Sequence, residues 1–417
     1  MILFRCSLLL LALGFAAALH AETDAELAAR AAALHARIFT IDTHLDTPTS
    51  SLRRTGWDIS QRHAVAADFS QCDFPRMRDG GLKAGVFAVY VDQGPRTPEG
   101  FAKIRDNALR SFLRVHAVTE RFADQCGLAL TADDALKIFA TGKRVIFTSI
   151  ENGYAIGQDL TLLKTYHDLG ARFFGFVHNG NNDLGDSSQP GTKGPEWGGL
   201  SPLGEQAVVE CNRLGFVIDA SHSADTTTRQ LIARSSTPII LTHSGCKAIN
   251  DHARNVSDDL LRELAAHGGV IQMNTVTGFL VPTPPNPEFE KAQAAIIARN
   301  AGKNLSDAEG ADMMVGIYKM RHDMAKNRAT LDDFLKHFFH AIEIAGVEHV
   351  GLGADMDGGG GVIGLEDVSD YPKLTLAMLK HGLSESDVEK IWGGNTLRVL
   401  RAAEDFAKTQ KAAPAKS

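Results

Sequence analysis

His44 and Asp46 stand two positions apart beyond a short apolar run, Ile38-Phe-Thr-Ile-Asp-Thr43. Successive side chains of a strand alternate between its faces, so the two point the same way. Imidazole beside carboxylate suits zinc, manganese or iron, and such an ion needs further ligands from elsewhere in the chain. His-x-Asp alone is a weak signal; its weight depends on whether partners recur. They do: apolar runs at 144–150, 173–177, 216–220, 238–241 and 349–354 run out at Glu151, His178, His222, His243 and Asp355.

These runs, with 84–91 and 269–274, make eight predicted strands alternating with helical patterns, the signature of an α/β chain folded as a (β/α)8 TIM barrel. No Gly-x-Gly-x-x-Gly follows the first strand, which argues against a doubly wound sheet. In a barrel all strand C-termini face one mouth, so residues scattered from 44 to 355 converge there. A long helical insertion, with patterns at 288–302, 306–327 and 330–345, separates the seventh and eighth strands.

A His-Asp pair, a Glu and further histidines exceed what one catalytic zinc takes, namely three ligands and an open position. Two ions fit better, with a carboxylate bridging them and a hydroxide held between them as nucleophile at neutral pH. The Gly-x-Ser-x-Gly pattern of serine hydrolases is absent, in keeping with attack by metal-held water.

Composition narrows the partner. The chain has 417 residues, 44% hydrophobic and 22% charged, enough for one large barrel domain. A formal charge of −7 with no Lys/Arg run argues against nucleic acid and leaves a small-molecule substrate. In residues 1–21, Arg5 precedes an apolar stretch too short to span a bilayer, followed by small residues. This reads as a cleavable signal peptide, hence a secreted or periplasmic protein with no membrane anchor after cleavage. Cys6 precedes the apolar stretch instead of closing it, against a lipid anchor. Export leaves Cys72, Cys126, Cys211 and Cys246, to which one or two disulfides are open. The barrel domain is expected over 22–407 and a disordered tail over 408–417. The helices of 288–345 offer a surface for a homodimer.

The residues resemble the membrane (renal) dipeptidase family of zinc peptidases, among the amidohydrolase-like barrels. The most specific stretch runs from Gly198-Gly-Leu-Ser-Pro-Leu-Gly204 through Glu210-Cys-Asn-Arg-Leu-Gly-Phe-Val-Ile-Asp-Ala-Ser-His222. It continues in Thr242-His-Ser244, Arg254-Asn-Val-Ser-Asp-Asp259, Gly351-Leu-Gly-Ala-Asp-Met-Asp-Gly358 and Gly394-Asn-Thr-Leu-Arg-Val399. The resemblance implies a secreted dipeptidase with two Zn2+, His44 and Asp46 on one ion, His222 and His243 on the other, and Glu151 bridging. It also implies that His178 stabilises the oxyanion, Asp355 shuttles the proton to the leaving amine, and Arg254 pairs with the substrate's terminal carboxylate. The chain departs from the family in His-Leu-Asp for His-Asn-Asp, in Met-Asn-Thr-Val where an aromatic usually follows Asn, and in Ala-Asp-Met-Asp for Gly-Asp-Phe-Asp. None removes a ligand. The alternatives are another metal-dependent amide or lactam hydrolase on the same barrel, or a non-catalytic binding barrel.

Overall fold

A computed structural model describes residues 22–303 and 305–412. The predicted signal peptide at 1–21 lies outside the described residues, as does 413–417 of the predicted tail. Residues 408–412 of that tail are helical, because the last helix runs Asn395–Ala412 without a break.

Nine parallel strands form the sheet: β1 Ile41–Leu45, β2 Ala84–Tyr90, β3 Cys126–Leu128, β4 Arg144–Glu151, β5 Ala171–Gly175, β6 Val217–Asp219, β7 Ile240–Ser244, β8 Val270–Met273 and β9 Val350–Leu352. Eight of them pair in the order β1-β2-β4-β5-β6-β7-β8-β9, and β3 is a spur on β4. The barrel closes where Leu45 bridges Met356, with Asp46 N–H donating to Met356 O at 2.9 Å and Asp355 N–H to His44 O at 3.2 Å. This is the expected (β/α)8 TIM barrel, carried on one strand more than expected.

Alternation decides which side chains fill the barrel. Ile41, Val86, Val145, Phe147, Phe173, Val217, Ile240 and Val270 form one apolar cluster drawn from seven strands, with Leu397, Leu400 and Ala403 of the last helix packed on it. Their sequence neighbours, among them Ile146, Phe174, Ile218, Leu241 and Ile271, join the larger cluster under the surrounding helices. The interior is therefore a packed core and not a pore, and its open end is the C-terminal one.

The stretch after β8 divides in two. Helix Leu331–Ala345 packs on helix Asp258–Ala266, β8 and β9, so it is the barrel's own crossover and not part of the insertion. Helices Pro287–Asn300 and Asp307–Asp323 are the true addition. Among the described residues no helix is long and apolar enough to cross a membrane. Cys72, Cys126, Cys211 and Cys246 are all buried and unpaired, so the disulfides open to them on sequence do not form.

Candidate metal centre

Glu151 is aimed by simple strand alternation. Val145 and Phe147 face the barrel interior, and Ser149 and Glu151 continue that face to the mouth. His44 and His243 need more. Both lie within strands, not past their ends as the apolar runs implied, and the register slips at each: between Asp42 and Leu45 in β1, and between Leu241 and Ser244 in β7. Such irregularities turn a side chain toward a site that regular pleating would deny it.

Two buried aspartates hold these turns, and sequence reasoning missed both. Asp42 Oδ1 accepts His44 N–H at 2.9 Å and Ala354 N–H at 3.1 Å, and Tyr371 donates to its other oxygen. Asp219 Oδ1 accepts Ser221 N–H at 2.9 Å and Thr242 N–H at 3.0 Å, while Thr242 Oγ1 donates to Oδ2 at 2.6 Å. Each ties its own strand's outgoing turn to the next strand of the barrel. The signal was present: Ile41-Asp42-Thr43-His44 and Ile218-Asp219-Ala220-Ser221-His222 are variations on one phrase. Burial pushes the Asp42 carboxyl up to about 6, against the pull of its three donors.

Backbone strain gathers at the same place. Asn152, His222, Asp355 and Asp357 take positive φ (79°, 65°, 62° and 67°), and each follows the end of β4, β6 or β9. Non-glycine residues hold this conformation only where the surroundings enforce it. Ser188 N–H donates to His222 O at 2.7 Å and Ser187 Oγ to His178 O, so the loop after β5 braces two of the histidines. Asp186 in turn accepts the N–H groups of Glu196, Trp197 and Gly199, which folds that loop.

The ligand atoms converge on the two oxygens of Glu151. Oε2 lies 3.2 Å from His44 Nε2, which is itself 3.4 Å from Asp46 Oδ2. Oε1 lies 3.2 Å from His222 Nε2 and 3.6 Å from His243 Nε2, and those two nitrogens are 2.9 Å apart. Two atoms bound to one tetrahedral zinc at 2.0–2.1 Å sit roughly 3.3 Å from each other, so these separations suit shared ions. His44 Nε2 is buried yet makes no hydrogen bond, which fits a lone pair awaiting a metal. His178 Nε2 stands 3.7 Å from Glu151 Oε1, its ring 4.0 Å from that of His222. Asp355 closes the set on the Asp46 side, within reach of His44 and Asp46.

Electrostatics point the same way. Burial opposes charge on His44, yet Glu151 and Asp46 outweigh it and hold its pKa well above the usual range. Burial, then Asp46, raises the Asp355 carboxyl. That corner of the site calls for a cation. Burial and Arg254 keep His222 neutral, and burial and His44 do so for His243, leaving lone pairs to give. His178 is held down to about 3, by burial first and Arg254 second.

Arg254 is 3% exposed. One guanidinium nitrogen donates to His243 O at 3.1 Å, the plane lies 5.2 Å over Phe279, and Nε has no partner. Burial lowers it to about 10, against the pull of Asp355 and Glu151. A buried, half-satisfied guanidinium of this kind has donors able to pair with an anion. All eight sequence-predicted residues thus meet at one mouth.

Residues 28–414 match the model of the membrane dipeptidase family, peptidase family M19. The chain belongs to that family. Among curated relatives, the dipeptidase aclJ of Aspergillus oryzae is 32% identical over 361 residues, 84% of this chain and 75% of that protein. The dipeptidase tcpJ of Claviceps purpurea is 32% identical over 346 residues, 81% of this chain and 71% of the other. Among solved structures, the probable dipeptidase PvdM from Pseudomonas aeruginosa superposes with a TM-score of 0.78 at 28% identity, covering 92% of this chain and all (100%) of that one. This membrane dipeptidase family member is a metal-dependent dipeptidase on a TIM barrel, and its buried His, Asp and Glu cluster has the donor atoms to hold a metal ion.

Proposed function

We propose that the chain is an exported dipeptidase that works with two zinc ions. The observation that carries this reading is the divergence of the Glu151 oxygens, Oε2 toward His44 and Asp46 and Oε1 toward His222 and His243. His44, Asp46, Glu151, His222 and His243 would hold the ions, which would supply Lewis acidity toward the scissile carbonyl and the attacking water.

The chain's own residues do the rest. His178, kept neutral by burial, donates an N–H to the oxygen that gains charge in the tetrahedral intermediate. Asp355 takes the proton of the attacking water and delivers it to the leaving nitrogen, a role open to a carboxyl whose pKa is raised by burial. Arg254 receives the terminal carboxylate, so that a substrate held at both ends would be two residues long. A longer peptide would bring an amide to Arg254 and leave the cation unpaired, a cost of roughly 3–5 kcal/mol. Export is supported by the apolar, Arg5-led stretch at 1–21.

The experiment pairs metal analysis with carboxylate dependence. Two zinc ions per active chain are expected, with turnover abolished by a chelator. C-terminally amidated dipeptides should be cleaved about 10²–10³-fold more slowly than the free acids, and Arg254→Ala should erase most of that difference. One ion in fully active protein would overturn the paired site; equal rates on acids and amides would overturn the clamp.

A further inference from the structure

Above the metal centre, the two added helices and the barrel mouth enclose a cavity of about 520 Å³, the size of a small-ligand site. Its walls include Phe69, Phe279, Phe289, Pro284, Tyr318 and Arg321. Three features join it to the catalytic residues. Phe279 is the ring on which Arg254 lies, Asn179 follows His178, and Gly359–Gly361 follow Gly358, which abuts the Asp46 and Asp355 carboxylates.

The charges in this cavity run against those of the chain as a whole. Arg321 lies 5.5 Å over Phe289 and 5.8 Å over Tyr318, and no carboxylate among the described residues lies within 4.0 Å of it. Lys326 also lines the cavity, with no ion pair among the described residues, whereas Arg328 and His322 have carboxylate partners at 3.5 Å and 3.1 Å. Glu290 is the one acidic lining residue. Two unpaired cations against one carboxylate, in a chain of net charge −7, make a locally positive chamber. Arg321 is exposed, but its guanidinium lies within reach of two aromatic faces, which favours orientations along the cavity wall. The Tyr318 hydroxyl has no hydrogen-bond partner among the described residues, and burial raises its pKa, so it stays a donor.

We propose that this cavity receives the side chain of the substrate's C-terminal residue and selects an anionic one, with Arg321 reading the charge and Tyr318 adding a donor. The inference rests on the reading of Arg254 as the holder of the terminal carboxylate. A residue whose carboxylate met Arg254 would lie beside Phe279, on which Arg254 stacks, and Phe279 is a wall of the cavity, so the chamber is the space open to that residue's side chain. A chamber of this size accepts a long side chain, and its charge favours glutamate or aspartate over their amides. The insertion after β8 then sets which dipeptides are taken, while the barrel ends set the reaction.

The test compares Ala-Glu with Ala-Gln, and Glu-Ala with Gln-Ala, using L and D configurations at the C-terminal residue and the zinc-loaded full chain. Ala-Glu is expected to show about a three- to tenfold higher kcat/KM than Ala-Gln at low salt, carried mainly by KM and shrinking as salt rises. Arg321→Met should bring that ratio toward one, Arg321→Lys should retain most of it, and Arg321→Glu should reverse it. Equal rates on Ala-Glu and Ala-Gln would overturn the inference and leave the dipeptidase reading standing, as would a charge preference confined to the N-terminal residue. A ratio that survives Arg321→Met, in protein with unchanged zinc content, also overturns it. If none of the dipeptides is hydrolysed, both readings fall together.

Discussion

Asp46 and Asp355 are neighbours in the site for which we propose different roles, and both press on one backbone position. A Cβ added at Gly358 would lie 2.1 Å from Asp46 Oδ2 and 2.2 Å from Asp355 Oδ1, so no side chain fits unless a carboxylate moves. Gly358→Ala is therefore expected to weaken metal retention about 10–100-fold, read as zinc lost on dialysis against a weak chelator. Unchanged retention would mean that the carboxylates have slack that their packing denies. Asp355→Asn separates the two acids by role. An amide cannot carry the proton that the leaving nitrogen requires, so turnover should fall by about 10²–10⁴-fold with both ions retained. Loss of zinc in this variant would make Asp355 a ligand, and normal turnover would hand the proton to another group, with His178 the nearest candidate. At this scale the sequence was most legible, because the strand-end positions of His44, Glu151, His178, His222, His243 and Asp355 carry their own chemistry. Asp42 and Asp219 were not read although Ile-Asp recurs just ahead of His44 and His222, because a carboxylate that touches only backbone N–H groups and hydroxyls carries no chemistry of its own to single it out.

At the level of elements, the apolar runs located the eight barrel strands but misplaced their ends in a telling way. The first was expected over 38–43 and is Ile41–Leu45; the sixth, expected over 238–241, is Ile240–Ser244. In each the hydrophobic run stops early because a polar residue of the site, His44 or His243, lies within the strand, the two rings 3.7 Å apart, a local exception to the rule that buried strands are apolar. Cys126–Leu128 escaped notice because three residues cannot show a period. Helix Asp24–Arg37 shows how an outlying element is tied to the barrel. Its His35 is 3% exposed, with Nδ1 2.7 Å from Thr375 Oγ1 and Nε2 2.8 Å from Gly80 O. Burial lowers its pKa to about 4, against an ordinary 6.5. The folded state thus refuses a proton that the unfolded chain accepts. The contribution of His35 is complete above pH 6.5 and drains away as pH falls from 6.5 to about 4, by roughly 3 kcal/mol in all. Removing the titrating group should flatten part of that loss. His35→Gln is expected to lower the thermal midpoint at pH 7.5 and to converge on the wild type by pH 4, the metal ligands contributing equally to both proteins. Parallel curves across the range would place the acid sensitivity elsewhere.

For the molecule as a whole, a chain proposed for an oxidising compartment has a core that makes no use of disulfides. Cys72, Cys126, Cys211 and Cys246 all belong to the large apolar cluster, each buried and unpaired, and Cys246 Sγ is 3.3 Å from His337 O. Burial pushes the Cys126 and Cys246 thiols up to about 12 and raises those of Cys72 and Cys211 as well. Thiolate is the reactive form, so these sulfurs are protected both by access and by protonation. A barrel of this size buries enough apolar surface to need no covalent staples, unlike a small secreted domain. Two consequences follow for the purified protein. A reducing agent should leave the thermal midpoint unchanged, and a thiol reagent at neutral pH should label the native state only on the timescale of unfolding. The denatured chain then reports on export. The sequence has five cysteines, and Cys6 lies in the segment read as a signal peptide, so material collected from outside the cytoplasm should yield four reactive thiols and uncleaved material five. A count of five in exported, active protein would show that the segment is retained, and would turn the reading of residues 1–21 from a cleaved address into a lasting part of the chain.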